Sequence, residues 1–352
     1  HLFKWIQFVL IYFMVLRVVT TEELAKRFVI LTLISCVIMV VAQMALTATG
    51  HYGGEVRLSS GEIARLYVPG VESNAILGGY YLLYYGIILS MLISTGIRHK
   101  GLIIALTVAL SLGIFLTYGR ANYLGMAAIL LVLTITGGGV RIRLPFIFLI
   151  ISLCAMIYFL PNVVERVSMT VKVETGEVLK FETSAYERLI NWRRAVNVLT
   201  ESPTNPIIGI GFWGARFHGI WGRSTIHSQY LTYLIEMGVI GFVIFCWLMK
   251  RVFSQILLLY RLSDEDPFCK ALSMGFLAGL IGILVASFFG ELLESPRILG
   301  PFWFMIALIV IIKNDKELEE AEEEGVKGEE FVPEVREKVI PRGKRFVDKY
   351  FQ

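Results

Sequence analysis

Apolar runs of about twenty residues recur along this chain and restrict its fold more than any other feature. A helix of that length crosses the hydrocarbon layer of a bilayer, and a soluble domain would not contain so many such runs. Nine runs fall near 3–19, 28–48, 73–95, 101–118, 121–138, 144–160, 229–250, 270–289 and 298–313. The sequence therefore predicts an all-α polytopic membrane protein.

Lysine and arginine in the short loops predict which ends of these helices share a side of the membrane. "EELAKR" (22–27), "RHK" (98–100), "RIR" (141–143) and "MKR" (249–251) all fall on one side, together with the charged tail. Short loops rich in these residues favour the cytoplasm. We therefore expect this side to be cytoplasmic and the other side to face outward.

Four regions follow from this arrangement. They are transmembrane helices in 1–160, an outer loop in 161–228, transmembrane helices in 229–313 and a charged cytoplasmic tail in 314–352. Alternating residues around Thr175 predict a β-hairpin in the loop, and 184–199 predicts an amphipathic helix. Because the chain begins at His1 rather than at Met, we expect further N-terminal helices before the first region.

The distribution of charge bears on the class of function. A net charge of +4 on 352 residues gives no support to a nucleic-acid partner. The membrane segments hold almost no charge, and Glu236 is the clear exception. A lipid or polysaccharide transporter usually lines its path with polar groups, so a transporter is the less favoured alternative. Glu236 itself is either satisfied by a neighbouring helix or functional.

Arginines gather on the predicted outer face. They are Arg120 in a tight turn, Arg188, Arg193 and Arg194 on the amphipathic helix, Arg216 and Arg223 before His227, and Arg297 at the start of the last run. Any one of them could anchor to lipid head groups, but a cluster favours a phosphate-bearing lipid, because guanidinium binds phosphate oxygens bidentately. All aspartates fall on the other side, and we expect no acidic pair at metal-ligand spacing on this face. The chemistry should then need no metal or other cofactor.

His227 opens the stretch "HSQYLTYLIEMGVIGF" at the outer end of an apolar run. Histidine can accept a proton near physiological pH. Beside arginines, it could deprotonate a hydroxyl that attacks a carbon carrying a phosphate leaving group. We therefore predict a general-base role for His227, and a histidine that only caps the helix is the alternative.

Three stretches carry a resemblance to a known family. His227-Ser228, nine residues and Gly238-Val-Ile-Gly241 resemble the signature of the O-antigen ligase and O-antigen polymerase superfamily. "LTYGRANYLG" (116–125) and "ERLINWRRAVNVLTESPTNPIIGIGFWG" (187–214) are similar to two further stretches of that family. The resemblance covers roughly residues 70–300, and the stretch from His227 is its most specific part.

The resemblance implies a GT-C-like helix bundle with one large periplasmic loop in the bacterial inner membrane. It implies metal-independent transfer of a glycan from an undecaprenyl-diphosphate-linked donor to an acceptor hydroxyl on the periplasmic face. By position, Arg120 and Arg188 would bind the diphosphate and His227 would activate the acceptor, with Arg193 and Arg216 as further donor-binding candidates. The acceptor could be a glycolipid such as lipid A core, a growing glycan or a protein. A ligase, a repeat-unit polymerase and a protein O-oligosaccharyltransferase therefore all stay open.

Overall fold

The computed structural model describes most of the membrane helices and part of the outer loop. The described residues are 2–49, 55–58, 61–64, 74–94, 96–97, 99–136, 171–172, 180–181, 183–212, 214 and 226–323. The predicted run 144–160, Arg216, Arg223 and the chain after 323 lie outside the described residues.

Helices make up most of the described chain. They are α1 (Leu2–Val18), α2 (Glu22–Ala48), α3 (Asn74–Ile93), α4 (Lys100–Phe115), α5 (Arg120–Thr136), α6 (Thr183–Thr200), α7 (Asn205–Ile208), α8 (Gln229–Leu262), α9 (Pro267–Ala286) and α10 (Pro296–Glu323). A 3₁₀ turn at Leu292–Glu294 precedes α10.

Two short antiparallel ribbons accompany the helices. Strand β1 (Glu55–Leu58) pairs with β2 (Gly61–Ala64), and β3 (Val171–Lys172) pairs with β4 (Lys180–Phe181). The second ribbon places Val171 opposite Phe181. It lies where the alternation around Thr175 predicts a hairpin.

Within the part of the chain that the structure describes, five helices are long and apolar enough to cross a membrane. Their spans are Glu22–Ala48, Ile76–Ile93, Gln229–Leu262, Pro267–Ala286 and Pro296–Ala321. Shorter apolar helices cover Ile6–Val18, Lys100–Phe115 and Arg120–Thr136. The prediction of an all-α polytopic membrane protein is confirmed.

Helix α8 corrects one predicted loop. The sequence predicts that a span ends near 250 and that "MKR" (249–251) lies in a loop, but α8 continues through these residues to Leu262. The physical reason is an apolar face that continues past the charges, since Val252, Ile256 and Leu259 are buried in the core at helical spacing. Met249, Lys250 and Arg251 therefore lie within a helix and not in a loop.

Helix α10 corrects the predicted start of the tail. The sequence predicts that the last run ends at 313, but the helix continues to Glu323. Lys313 and Glu317 form an ion pair of 3.0 Å at positions i and i+4, and Lys316 lies 3.5 Å from Glu319. Such pairs stabilise a helix after its apolar run has ended.

Helices α3 and α9 pack together through glycines at the centre of the bundle. A Cβ on Gly86 would overlap the backbone of Gly275 and Gly279. The two backbones can approach this closely because these positions carry no side chain. Helix α5 packs on α9 in the same way, because a Cβ on Gly125 would lie 2.7 Å from the carbonyl oxygen of Gly282.

The bundle has two ends with different contents. At one end, which we call the charged end, the Glu22 N–H donates to Asp315 at 2.7 Å and Lys26 pairs with Asp266 at 2.6 Å. At the other, which we call the His227 end, the Gln229 N–H donates to the Ser287 carbonyl at 3.0 Å. Segment 22–27 and the start of the tail thus meet at one end, as their predicted sidedness requires.

Candidate functional site

His227 lies directly before α8 with its backbone in the left-handed region, at φ 58°. Its neighbours are fixed on both sides. The carbonyl of buried Ile226 accepts a hydrogen bond of 3.0 Å from Trp192 Nε1 of α6, and Gln229 is bonded to α9 through Ser287. A non-glycine residue keeps this conformation only where its surroundings hold it there. The fold therefore fixes the backbone position from which the His227 side chain extends.

Glu291 is the second support of this segment. Its carboxylate lies 3.0 Å from the Thr232 hydroxyl, which donates to it. It also accepts hydrogen bonds from the backbone N–H groups of Ile226 and His227. Burial raises the pKa of Glu291, and these three donors offset part of that effect. One half-buried side chain, that of Glu291, thus connects the turn before α10 to the backbone of His227.

Gln229 joins the same turn to α8. Its side chain is fully buried, accepts from the Leu293 N–H at 2.9 Å and donates to Glu294 at 3.2 Å. Burial, followed by the charges of Glu291 and Glu236, raises the pKa of Glu294 to about 8. Glu294 is therefore mostly protonated at pH 7.

Two glutamates of this end, Glu291 and Glu294, are not among the site residues that the sequence analysis names. Glu291 and Glu294 are close enough to act on each other electrostatically, and buried Glu236 acts on Glu294 as well. The signal was present in "ELLE" (291–294), because a spacing of three places two carboxylates on one side of a helical turn.

Arg188 and His227 come together although they lie far apart in the sequence. Burial first, and the positive charge of Arg188 second, lower the pKa of His227 to about 4. The contact of Trp192 with Ile226 holds α6 against this region. At pH 7 the imidazole is neutral and can accept a proton.

The other predicted arginines are distributed around the same end. Arg120 is half-buried and begins α5 after a tight turn in which the Asn122 N–H donates to Gly119 at 2.9 Å. Because the nearby Gly125 packs on the last turns of α9, Arg120 lies at the His227 end. Arg193 on α6 and Arg297 on α10 are exposed.

The glycine-rich stretch 205–214 docks onto a break in α8. Gly238 interrupts the helix with φ 65° and ψ −172°, a conformation found almost only for glycine. The Ile210 N–H donates to the Ile235 carbonyl at 2.9 Å, and the Gly211 N–H donates to Glu236 at 3.0 Å. Two stretches that the sequence shows only as separate motifs therefore form one joint.

The close approach explains the glycines on both sides of this joint. A Cβ on Gly209 would overlap the carbonyl of Glu236, and a Cβ on Gly238 would overlap the carbonyl of Ile207. Gly209 also has a positive φ of 77°. Side chains at either position would push the loop away from α8.

A possible metal-ligand group lies at the charged end instead. Ligand atoms of Glu22, Asp266 and Cys269 lie within 4.8 Å of one another. Lys26 and Lys316 already pair with the Glu22 carboxylate, at 2.6 and 3.4 Å. Asp266 also caps α9, accepting from the Cys269 N–H at 3.0 Å. This group holds helix ends together and lies at the end opposite His227.

The comparison with protein families agrees with this geometry. Residues 105–246 match the "O-Antigen ligase" family model. This region is therefore similar to O-antigen ligases. It includes Arg120, Arg188 and His227, and it also contains both halves of the joint at Gly238. The resemblance to the O-antigen ligase superfamily is confirmed. A search among curated proteins found no match.

Proposed function

We propose that this protein is an O-antigen ligase-like transferase that uses an undecaprenyl-diphosphate-linked glycan as donor. Glycan transfer of the O-antigen ligase or polymerase type by a membrane protein follows from the family match. The finer proposal rests on one observation. His227 is held in a fixed backbone, and its pKa is lowered so that the imidazole is neutral beside Arg188.

The reaction assigns a role to each group. The acceptor oxygen forms a bond to the anomeric carbon, the bond from that carbon to the diphosphate oxygen breaks, and the diphosphate leaves with the electron pair. His227 accepts the proton of the acceptor hydroxyl. Arg188 and Arg120 bind the diphosphate and stabilise the charge that develops on it.

Donor binding would also raise the pKa of His227. In the free protein, burial and the positive charge of Arg188 lower the pKa of His227. A bound diphosphate places negative charge beside Arg188 and offsets its effect on the imidazole. The pKa of His227 then rises towards the working pH, where a general base is most effective.

Because guanidinium groups supply the positive charge, we expect transfer without a metal ion. Purified protein with a lipid-linked donor should keep its rate in excess chelator. Loss of transfer that Mg²⁺ or Mn²⁺ restores would contradict this expectation, and it would direct attention to Glu291 and Glu294.

A repeat-unit polymerase is the second candidate, because exposed Arg193 and Arg297 could bind a second lipid diphosphate. The assay supplies purified protein with one short lipid-linked repeat and no other acceptor. A ladder of longer lipid-linked products would identify a polymerase. Transfer only after addition of lipid A core would identify a ligase, and transfer only to a protein would identify an O-oligosaccharyltransferase.

The periplasmic location of the site is also part of the proposal. Thr200 at the end of α6 and Glu265 between α8 and α9 are exposed and suit cysteine labelling. In a variant without native cysteines, Thr200→Cys should react with an impermeant maleimide added outside intact spheroplasts, and Glu265→Cys should not. The opposite result would invert the predicted topology.

A further inference from the structure

The loop after α6 exposes apolar side chains. We call residues 205–212 the α7 loop. Ile207 is 55% exposed, Ile208 is 61% exposed and Phe212 is 43% exposed. Loops that face water are usually polar, and exposed apolar residues grouped together mark a surface that meets another apolar phase.

The α7 loop lies beside a face of α8 that is itself exposed and apolar. The hydrogen bonds to Ile235 and Glu236 hold the loop against the break at Gly238. Directly after the break, Val239 and Ile240 are 50% and 52% exposed. The same face continues to further exposed residues one and two turns on, which are Val243, Ile244 and Trp247. On a helix that spans the membrane, this face contacts lipid.

The backbone N–H groups of residues 207–211 meet one condition for entering hydrocarbon. Non-helical backbone is costly there unless its polar groups are bonded within the protein. Ile207 and Ile208 donate to Thr204 at 3.0 and 3.1 Å, and Gly209 donates to Asn205 at 2.9 Å. With the bonds from Ile210 and Gly211 to α8, five consecutive N–H groups have carbonyl partners.

We propose that the α7 loop lies in the outer part of the bilayer, with Ile207 and Ile208 in contact with phospholipid acyl chains. The sequence alone places this segment in a periplasmic loop, so this is a different environment from the predicted one. The loop is bonded to α8 at Ile235 and Glu236, and the exposed apolar residues Val239 and Ile240 follow directly after the break at Gly238.

The insertion has a consequence for the site. Asn205 donates to the Val198 carbonyl at 2.8 Å, so the α7 loop is attached to the last turn of α6. Helix α6 carries Arg188 and Trp192, and Trp192 is bonded to the segment of His227. A loop fixed in the bilayer would therefore hold α6 at a constant depth. The insertion itself does not depend on the transfer reaction.

Spin-label accessibility tests this proposal. Ile208→Cys is made in a variant without native cysteines, labelled with a nitroxide and reconstituted in phosphatidylcholine vesicles. Collision with oxygen, which concentrates in hydrocarbon, is compared with collision with a water-soluble nickel chelate. Val243→Cys on α8 is the lipid-facing control, and Glu265→Cys is the aqueous control.

We expect the ratio of oxygen to nickel collisions at Ile208 to match that at Val243 and to exceed that at Glu265 several-fold. A ratio like that of Glu265 would overturn the proposal, because it places the loop in water. Low collision rates with both reagents would also overturn it, because another segment of the chain would then cover the loop. Ile207→Cys repeats the measurement if Ile208→Cys does not fold.

Discussion

The two ends of the bundle shift the pKa values of half-buried carboxyl groups in opposite directions. At the charged end, burial would raise the pKa of Asp266, but hydrogen bonds from Lys26 and from the Cys269 N–H lower it to about 2. At the His227 end, Glu291 and Glu294 accept from hydroxyl, amide and backbone donors, and burial raises the pKa of both. The charged end therefore stabilises the ionised form of its carboxylate, whereas at the His227 end ionisation of Glu291 and Glu294 is unfavourable.

This difference supports the proposal that the cluster at the charged end is structural and that the cluster at the His227 end is functional. Paired charges at the charged end connect the ends of α2, α9 and α10. Carboxyl groups with raised pKa values and a histidine with a lowered one reduce stability when they ionise, so stability alone gives no reason to keep them. Groups of this kind concentrate at sites where chemistry takes place.

The largest effect is expected from His227→Ala. Removal of a general base typically lowers a rate by about 10²- to 10⁴-fold, so we expect glycan transfer to fall by that factor while membrane abundance stays normal. The measurement is transfer by purified protein from a lipid-linked donor. His99→Ala is the matched control, because His99 precedes α4 at the charged end and should keep its rate. Normal transfer in His227→Ala would remove the general-base role.

The next effect is on the joint between the α7 loop and α8. Gly238→Ala should destabilise the protein by about 3 kcal/mol or more, since the φ and ψ of Gly238 are strained for alanine and the Cβ meets Ile207. Thermal unfolding in detergent measures this change. Gly101→Ala in α4 is the control, because the added Cβ meets no described atom within 4 Å beyond its chain neighbours and its own helix backbone. Equal melting temperatures for both variants would show that the joint is not required.

A smaller, pH-dependent effect should separate the two ends directly. The native pKa of Glu294 is raised from 4.5 to about 8, so the folded state holds a proton that the unfolded state loses. Wild-type stability therefore falls as the pH rises between these values, whereas Glu294→Gln does not titrate there. We expect Glu294→Gln to gain about 2–4 kcal/mol relative to wild type between pH 5 and pH 8.5. Denaturation at several pH values measures this gain, and a constant difference would contradict it.

The smallest expected effect is a nearly constant kcat/KM between pH 7 and pH 5.5. A histidine with its ordinary pKa of about 6.5 would lose roughly eightfold of its neutral form between pH 7 and pH 5.5. Because the pKa of free His227 is lowered to about 4, we expect kcat/KM to change little across this interval. In Arg188→Ala, loss of the positive charge should move the acid limb of the residual activity to higher pH. A steep fall in wild type would show that the site is more hydrated than the structure indicates.

The sequence predicts most of the membrane fold because period and length are local properties. The apolar runs locate the helices from α1 to α5 and from α8 to α10, and charge predicts which helix ends meet. It misplaces two boundaries, because burial of Val252 and pairing of Lys313 with Glu317 extend the helices beyond the apolar signal. The first end depends on tertiary burial, and the second depends on local charge pairs that a search for apolar runs does not detect.

The site is only partly predictable for the same reason. His227 and the arginines stand out by residue type, but the support from Gln229 to Leu293 and Glu294 joins residues distant in sequence. Gly209 and Gly238 are visible as a motif, but their contact is not, since no local period relates them. The sequence shows which residues could do chemistry, whereas the residues that hold them in place are known only from the fold.

The glycine contact between α3 and α9 has a consequence for the cell. At Gly86, Gly275 and Gly279 the two helices meet backbone to backbone, which leaves no space between them at that level for a file of water molecules. Protons cross a membrane along such files. The contact between α3 and α9 therefore gives protons no path across the membrane at this level, although ionisable groups lie at the His227 end of the bundle.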